Sequence, residues 1–261
     1  MKKIYFIILL IFVIHPLMAN NNKYMLSKIV YDTITKTQLY LDKNKYQDAK
    51  KLLLALDKSS KVRKKVDKAY LKFYIGYIYT LTNNESKAVS YFKKALALKA
   101  LPADQIQNIR LNLAQLYMQR SDYYNALNYL KKLIDTGPVK AEYYIYEANA
   151  NLALKRYASV IKNIDKAIAL SKNKKPSWLK MKFYCYYMLK DYFHAITTAK
   201  ELIRIEPLNK EYWIQLSALY SIKQKPLDAL STLDVANILK IDLNENELLQ
   251  LIAWLSYMDI P

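Results

Sequence analysis

A motif that recurs about every 34 residues constrains this chain more than any other feature of its sequence. An aromatic residue is followed three positions later by a small or β-branched one, at Tyr46/Ala49, Tyr123/Ala126, Tyr157/Val160 and Tyr192/Ala195. Ala88 and Ala229 mark two weaker copies that lack the aromatic residue. From Ala49 onward, the six positions lie 39, 38, 34, 35 and 34 residues apart. This period predicts one supersecondary unit repeated along the chain.

Each repeat contains two stretches with helical periodicity. In the second repeat, Ile75 and Tyr79 lie on one helical stripe, and Ala88 and Phe92 lie on another. The polar residues 82–84 separate the two stretches. The pattern therefore predicts an antiparallel pair of helices in each repeat, and the whole chain is expected to be all-α.

Small residues recur at two places in the repeat, where a large side chain would push helices apart. The eighth position is expected to lie where the two helices of a pair come closest, and it holds Gly76, Ala114, Ala148 and Ser217. A second set is expected to lie where one pair meets the next, at Ala88, Ala126, Ala195 and Ala229.

These positions resemble the tetratricopeptide repeat (TPR) from about residue 30 to residue 261. The third repeat matches best, with Leu113, Ala114, Tyr117, Tyr123, Ala126, Leu130, Leu133 and Pro138. The resemblance implies a right-handed solenoid of antiparallel helix pairs within one domain, residues 20–261. About six repeats are expected, plus a partial seventh, at 30–57, 69–100, 107–138, 141–172, 176–207, 210–241 and 246–261.

Both ends of the chain carry an expectation of their own. Lys2 and Lys3 precede an apolar run over residues 4–14, so residues 1–19 are expected to be a secretory signal peptide cleaved after Ala19. An uncleaved inner-membrane anchor is the alternative. At the other end, the partial repeat leaves an apolar helix without its pair. Because solenoids need polar capping ends, truncation or cover by a partner is expected there.

Composition favours binding over catalysis. The chain has two histidines, His15 and His194, and two glycines, so no metal-binding cluster or Gly-rich phosphate loop is expected. The single cysteine, Cys185, is expected to be a buried packing residue, and a reactive thiol or an intermolecular link is the alternative. We expect no enzyme activity and no cofactor.

The formal net charge is +19, and its lysines are spread over many helices. A solvated basic face is expected, with peripheral contact to an anionic membrane surface as an alternative. Nucleic acid is not expected as a partner. The Lys-rich stretch 58–68 is expected to be an insertion or a soft point.

The TPR resemblance also implies where a protein partner binds. In this fold, four positions of each first helix face the concave groove. Carried onto this sequence, they give Tyr70, Phe73, Tyr77, Asn108, Leu111, Gln115, Met118, Ile145, Asn149, Lys180, Tyr184 and Tyr187. Such a groove suits an extended or helical peptide held by aromatic anchors and side-chain amides. The alternative is that many of these tyrosines only pack against neighbouring helices.

Several stretches resemble a narrower group, the bacterial TPR proteins described as candidate components of the TonB system. They are residues 26–32, 113–117, 178–179, 212–220 and 253–261, and the run Tyr-Trp-x-Gln-Leu-Ser-x-x-Tyr at 212–220 is the most specific. This resemblance implies a periplasmic scaffold that acts with TonB, ExbB or ExbD in outer-membrane transport. An adaptor for outer-membrane protein assembly or cell-wall synthesis is the alternative.

Overall fold

The computed structural model describes residues 24–243 and residue 249, and this part of the chain contains α-helices and no β-strand. The helices are α1 (Lys28–Asp42), α2 (Tyr46–Asp57), α3 (Lys65–Leu81), α4 (Glu85–Ala97), α5 (Ala103–Gln119), α6 (Tyr123–Thr136), α7 (Ala141–Ala153), α8 (Tyr157–Ser171), α9 (Pro176–Met188), α10 (Tyr192–Ile205), α11 (Lys210–Ile222) and α12 (Pro226–Ile238). The expected signal peptide lies outside the described residues, and so does the partial seventh repeat apart from Leu249.

The twelve helices form six pairs, and the same three-residue turn joins the members of every pair. The middle residue of each turn has a left-handed backbone, with φ between 54° and 58°, at Asn44, Asn83, Ser121, Lys155, Lys190 and Gln224. The amide of the next residue donates to the carbonyl five positions earlier at 2.8–2.9 Å, as from Asn84 to Tyr79. Such turns satisfy carbonyls left open at a helix C-terminus. The prediction of six helix pairs is therefore confirmed.

Small residues let the two helices of a pair approach closely, as predicted for the eighth position. A Cβ atom added to Gly76 of α3 would lie 2.8 Å from Cδ1 of Phe92 in α4, and Phe92 is fully buried. In the last pair, the Ser217 hydroxyl of α11 donates to the carbonyl oxygen of Ala229 in α12 at 3.0 Å. A larger residue at either position would displace the second helix.

Ala229 was expected where its pair meets the next one, whose predicted first helix lies outside the described residues. Within the described residues, the Ala229 carbonyl lies against Ser217 in the first helix of its own pair. Ala229 also belongs to one buried cluster with Ala199 of α10, in the preceding pair, and with Leu216 and Tyr220 of α11. A small residue at this position therefore serves contacts within a pair and beside a neighbouring pair.

The chain divides into two compact units, Met1–Leu116 and Tyr117–Pro261, with the boundary inside α5. In the first unit, α3 contacts α1, α2 and α4. Every residue of α3 from Ala69 to Tyr79 is buried except Lys72. In the second unit, consecutive helices from α6 to α12 contact one another in chain order.

Candidate partner-binding surface

The predicted groove residues of the first unit differ in exposure. Tyr70, Phe73 and Tyr77 are buried within α3, with 4%, 2% and 8% of their surface exposed. Burial raises the pKa of the Tyr70 and Tyr77 hydroxyls. On α5, Asn108 is exposed, and Leu111 and Gln115 are half-buried. The three aromatic residues therefore pack inside the first unit and present little surface to a partner.

The predicted residues of the second unit lie nearer to solvent. Met118 of α5 and Ile145 and Asn149 of α7 are half-buried. Ile145 packs against a buried cluster built around Val160 and Ile164 of α8. Lys180, Tyr184 and Tyr187 of α9 are all exposed, and the two tyrosines keep 46% and 44% of their surface open. Of the groove predicted from sequence, α9 therefore offers the most accessible aromatic surface.

The exposed residues of α9 share one helix face. Lys180, Tyr184 and Tyr187 are spaced by four and three residues, so their side chains follow one another over about 10 Å of helix. Cys185 lies on the opposite, fully buried side, in a cluster with Ala148 and Trp178. This buried side fixes the rotation of α9, so the lysine and both tyrosines must face outward.

Two further tyrosines hold the exposed rings in place. The ring of Tyr184 meets that of Tyr157 edge to face, with centroids 6.0 Å apart and an angle of 78° between the ring planes. Tyr187 meets Tyr192 in the same way at 6.2 Å and 62°. Edge-to-face aromatic pairs are stabilising beyond the area they bury. We name Lys180, Tyr184, Tyr187, Tyr157 and Tyr192 the α9 surface.

Lys180 places a fixed positive charge at one end of the α9 surface. Its ammonium lies 5.0 Å from the ring centre of Tyr212, and the Tyr212 hydroxyl bonds to Glu206 Oε2 at 2.6 Å. A hydrogen bond with Tyr212 is the main cause that raises the pKa of Lys180. The lysine is therefore charged at neutral pH and held against Tyr212 of α11.

Tyr157 and Tyr192 were recognised from sequence as markers of the repeat, not as surface residues. Each is the first residue of a second helix, α8 or α10. That position brings its ring beside a groove tyrosine of α9. The recurrence of an aromatic residue at the start of second helices was the signal that could have identified this role.

Residues 212–220, on which the expected resemblance to TonB-associated proteins mainly rests, turn most of their side chains into the interior of the second unit. Tyr212, Trp213, Leu216, Ser217 and Tyr220 are all buried. The Trp213 indole donates to the Pro207 carbonyl at 2.8 Å, and Ser217 bonds to α12. The side chains of residues 212–220 therefore make contacts that stabilise the fold.

The remaining chemical features of residues 24–243 concern metal ions, membranes and two titratable side chains. This part of the chain has no cluster of three or more side chains suited to bind a metal ion. It also has no helix that is both long and apolar enough to cross a membrane. His194 is exposed, and its Nδ1 lies 2.7 Å from the Asp191 carboxylate at the start of α10. Burial raises the pKa of the Cys185 thiol to about 11.

Comparisons with known proteins agree with this architecture. Residues 111–171 match the sequence profile of the tetratricopeptide repeat. No curated protein sequence matches the chain significantly. Among solved structures, a tetratricopeptide repeat protein from Parabacteroides merdae ATCC 43184 is 17% identical, with a TM-score of 0.59 over 90% of this chain and 88% of that one.

Two further structures share the fold over a shorter stretch. MamA is 23% identical, with a TM-score of 0.51 over 62% of this chain and 92% of its own. YrrB, described as a TPR protein with an unusual peptide-binding site, is 15% identical, with a TM-score of 0.54 over 69% of this chain and 90% of its own. The helix pairs of this chain thus have the tetratricopeptide-repeat fold, and residues 111–171 carry that family's sequence pattern.

Proposed function

We propose that this chain is a non-enzymatic protein-binding scaffold, and that the α9 surface holds an extended or helical peptide segment of its partner. The observation that carries the proposal is the pair of exposed tyrosines, Tyr184 and Tyr187, each braced by a second tyrosine. YrrB, which has this fold and a peptide-binding site, is the precedent for the class of ligand.

The physical properties of the α9 surface suit such a partner. Tyrosine offers a large contact area at a small cost in conformational entropy, and rings already held by neighbours lose less freedom on binding. Residues that anchor protein interfaces are enriched in tyrosine. Lys180 adds a positive charge about one turn from Tyr184, so a segment with an apolar or aromatic residue followed by an acidic one fits best.

The proposal extends to location and partners. We place the protein in the periplasm, as an accessory component of an outer-membrane transport system energised by TonB, ExbB and ExbD. Two features of the sequence support this: the leader-like residues 1–19 and the resemblance of residues 212–220 to TonB-associated TPR proteins. Because most of residues 212–220 are buried, their resemblance to TonB-associated proteins supports a shared fold more directly than a shared partner-binding surface.

Photo-crosslinking in intact cell envelopes tests the proposal. A photoreactive phenylalanine derivative replaces Tyr184, and a matched control carries it at Tyr124, a tyrosine of α6 that is 65% exposed beneath Arg156. Recovery of TonB, ExbB or ExbD from position 184 but not from position 124 is the expected result. Recovery of outer-membrane assembly or cell-wall proteins at position 184 would refute the transport role and leave the binding surface in place.

A second measurement addresses the surface itself. Once a partner is identified, Tyr184→Ala should weaken its binding by about 10- to 100-fold, as expected for an aromatic anchor. Tyr124→Ala should change the affinity less than twofold. Equal effects of the two substitutions would show that the partner does not bind at the α9 surface.

A further inference from the structure

A second surface of different chemistry lies on the first unit, around the connection between α2 and α3. Residues 58–68 contain six basic side chains, all exposed: Lys58, Lys61, Arg63, Lys64, Lys65 and Lys68. We name these six residues the basic loop. Lys58 also shares a shallow concavity on the outer side of α2 with Lys50 and Lys51. Positive charge is therefore concentrated here well above the average for the chain.

The acidic groups nearest in sequence do not neutralise these charges. Asp57 pairs with Lys72 of α3, with oxygens 2.6 and 2.7 Å from its ammonium. Asp67 is 1% exposed, and its Oδ1 accepts a hydrogen bond from the Ser27 amide at 2.9 Å. Within residues 24–243, none of the six cations of the basic loop forms an ion pair.

Two buried valines anchor the basic loop. Val62 and Val66 are buried, with 6% and 7% of their surface exposed. The hydrogen bond from Ser27 to Asp67 ties the start of α1 to the first turn of α3. Since both valines face inward, the cations must face solvent. The loop thus presents fixed positive charge and no apolar or aromatic anchor.

The first turn of α3 reinforces this character. Lys64 is its N-cap residue, and its side chain caps no amide. Asp67 is the acidic residue of this turn, but it is buried and bonded to the Ser27 amide. Lys64, Lys65 and Lys68 are therefore the charged side chains that the start of α3 exposes to solvent.

We propose that the basic loop docks the protein on the surface of an anionic phospholipid bilayer. Clusters of four to eight basic residues bind anionic lipid surfaces electrostatically. Protein interfaces, in contrast, are organised around apolar and aromatic anchors, which the loop lacks. The proposal goes beyond the α9 surface, which lies in the second unit, and does not depend on it.

The order of the chain favours a membrane over another polyanion. Ser27, which bonds to Asp67, is 13 residues from the end of the apolar run at residues 4–14. An extended chain of that length spans at most about 45 Å. While the residues between this run and Ser27 remain attached, they keep the basic loop within about this distance of any bilayer that residues 4–14 enter. No acidic residue occurs before Asp32, so repulsion from the lipid surface is absent there.

Vesicle flotation with the full chain tests the proposal. Neutral phosphatidylcholine vesicles are compared with vesicles containing about 30% phosphatidylglycerol, and the ratio of the two partition coefficients isolates the electrostatic part. The loop variant carries Lys61→Gln, Arg63→Gln, Lys64→Gln and Lys65→Gln. The control variant carries four changes at scattered exposed lysines, namely Lys43→Gln, Lys99→Gln, Lys162→Gln and Lys223→Gln. Both variants lose the same net charge, and circular dichroism checks that both are folded.

The expected result is that the wild type and the control variant prefer anionic vesicles, and that the loop variant loses this preference. Each basic residue near an anionic surface contributes roughly fivefold to partitioning, so the loss of four should lower it by roughly several hundredfold. Equal losses in the two variants would overturn the proposal, because binding would then follow net charge. Preferential binding of poly-glutamate or duplex DNA to the basic loop, in competition with the vesicles, would also overturn the proposal.

Discussion

Replacing Gly76 by alanine tests how closely α3 and α4 are packed. The added methyl carbon would lie 2.8, 3.0 and 3.2 Å from three ring atoms of Phe92. All three distances are shorter than ordinary van der Waals contact, and the fully buried ring has no free space to move into. We therefore expect this substitution, normally favourable within a helix, to destabilise the protein.

Two opposing effects set the magnitude. Overpacking a well-filled core costs about 1–3 kcal/mol. Alanine gains about 1 kcal/mol over glycine in helix propensity. The net loss in the free energy of unfolding should be about 1 kcal/mol. If Phe92 is first shortened to alanine, all three contacting ring atoms are removed while the gain in propensity remains. Gly76→Ala should then stabilise the Phe92→Ala protein by about 1 kcal/mol.

The sign reversal can be measured by a double-mutant cycle, with urea unfolding followed by circular dichroism. Ala55→Gly, at an exposed position of α2, is the control, and it should cost about 1 kcal/mol whether residue 92 is phenylalanine or alanine. If Gly76→Ala has the same effect in both backgrounds, contact with Phe92 is not the reason for glycine at this position.

Three other predictions concern a helix cap, a half-buried acid and a buried thiol. Lys45→Asp should stabilise the protein by about 1 kcal/mol in urea unfolding, because the aspartate side chain can cap α2 as Asp122 caps α6. Lys43→Asp is the control: it makes the same charge change without a cap and should give no such gain. Burial is the main cause that raises the pKa of Glu147 above its usual 4.5, so the folded state holds this proton more tightly than the unfolded state. The stabilising contribution of the Glu147 proton is complete below pH 4.5 and is lost as the pH rises through the folded-state pKa. The stability of Glu147→Gln relative to wild type should therefore increase from pH 4 to 7. A difference in stability that stays constant with pH would contradict the raised pKa. Cys185, with a pKa of about 11, should react with iodoacetamide at pH 8 far more slowly in the native protein than in urea; equal rates would show that the thiol is accessible.

The repeat could be predicted from sequence because its signals are local. The aromatic and small residues recur at a fixed period, and each turn uses only the residues beside it. Gly76 and Ser217 therefore marked the close approach of paired helices correctly. The contact of the Ala229 carbonyl with Ser217 of its own pair was not predicted, because contacts within and between pairs both favour small residues, and spacing alone does not distinguish them.

The partner-binding surface was harder to predict because burial depends on the whole unit. Tyr77 and Tyr184 occupy the same position in their repeats, yet one is 8% exposed and the other 46% exposed. The difference follows from the surroundings of α3, which also contacts α1. Whether a groove position stays open to solvent is therefore a property of its neighbours in three dimensions.

The order of contacts along the chain has a consequence for folding kinetics. Apart from the contact of α1 with α3, the main contacts between helices join neighbours in sequence. Local contacts require short loops to close, and chains rich in them fold in microseconds to milliseconds. In such a chain, folding can begin at any helix pair and spread to the next. A nascent chain is thus expected to start folding with its first complete pair, α1 and α2, before the last repeat has emerged.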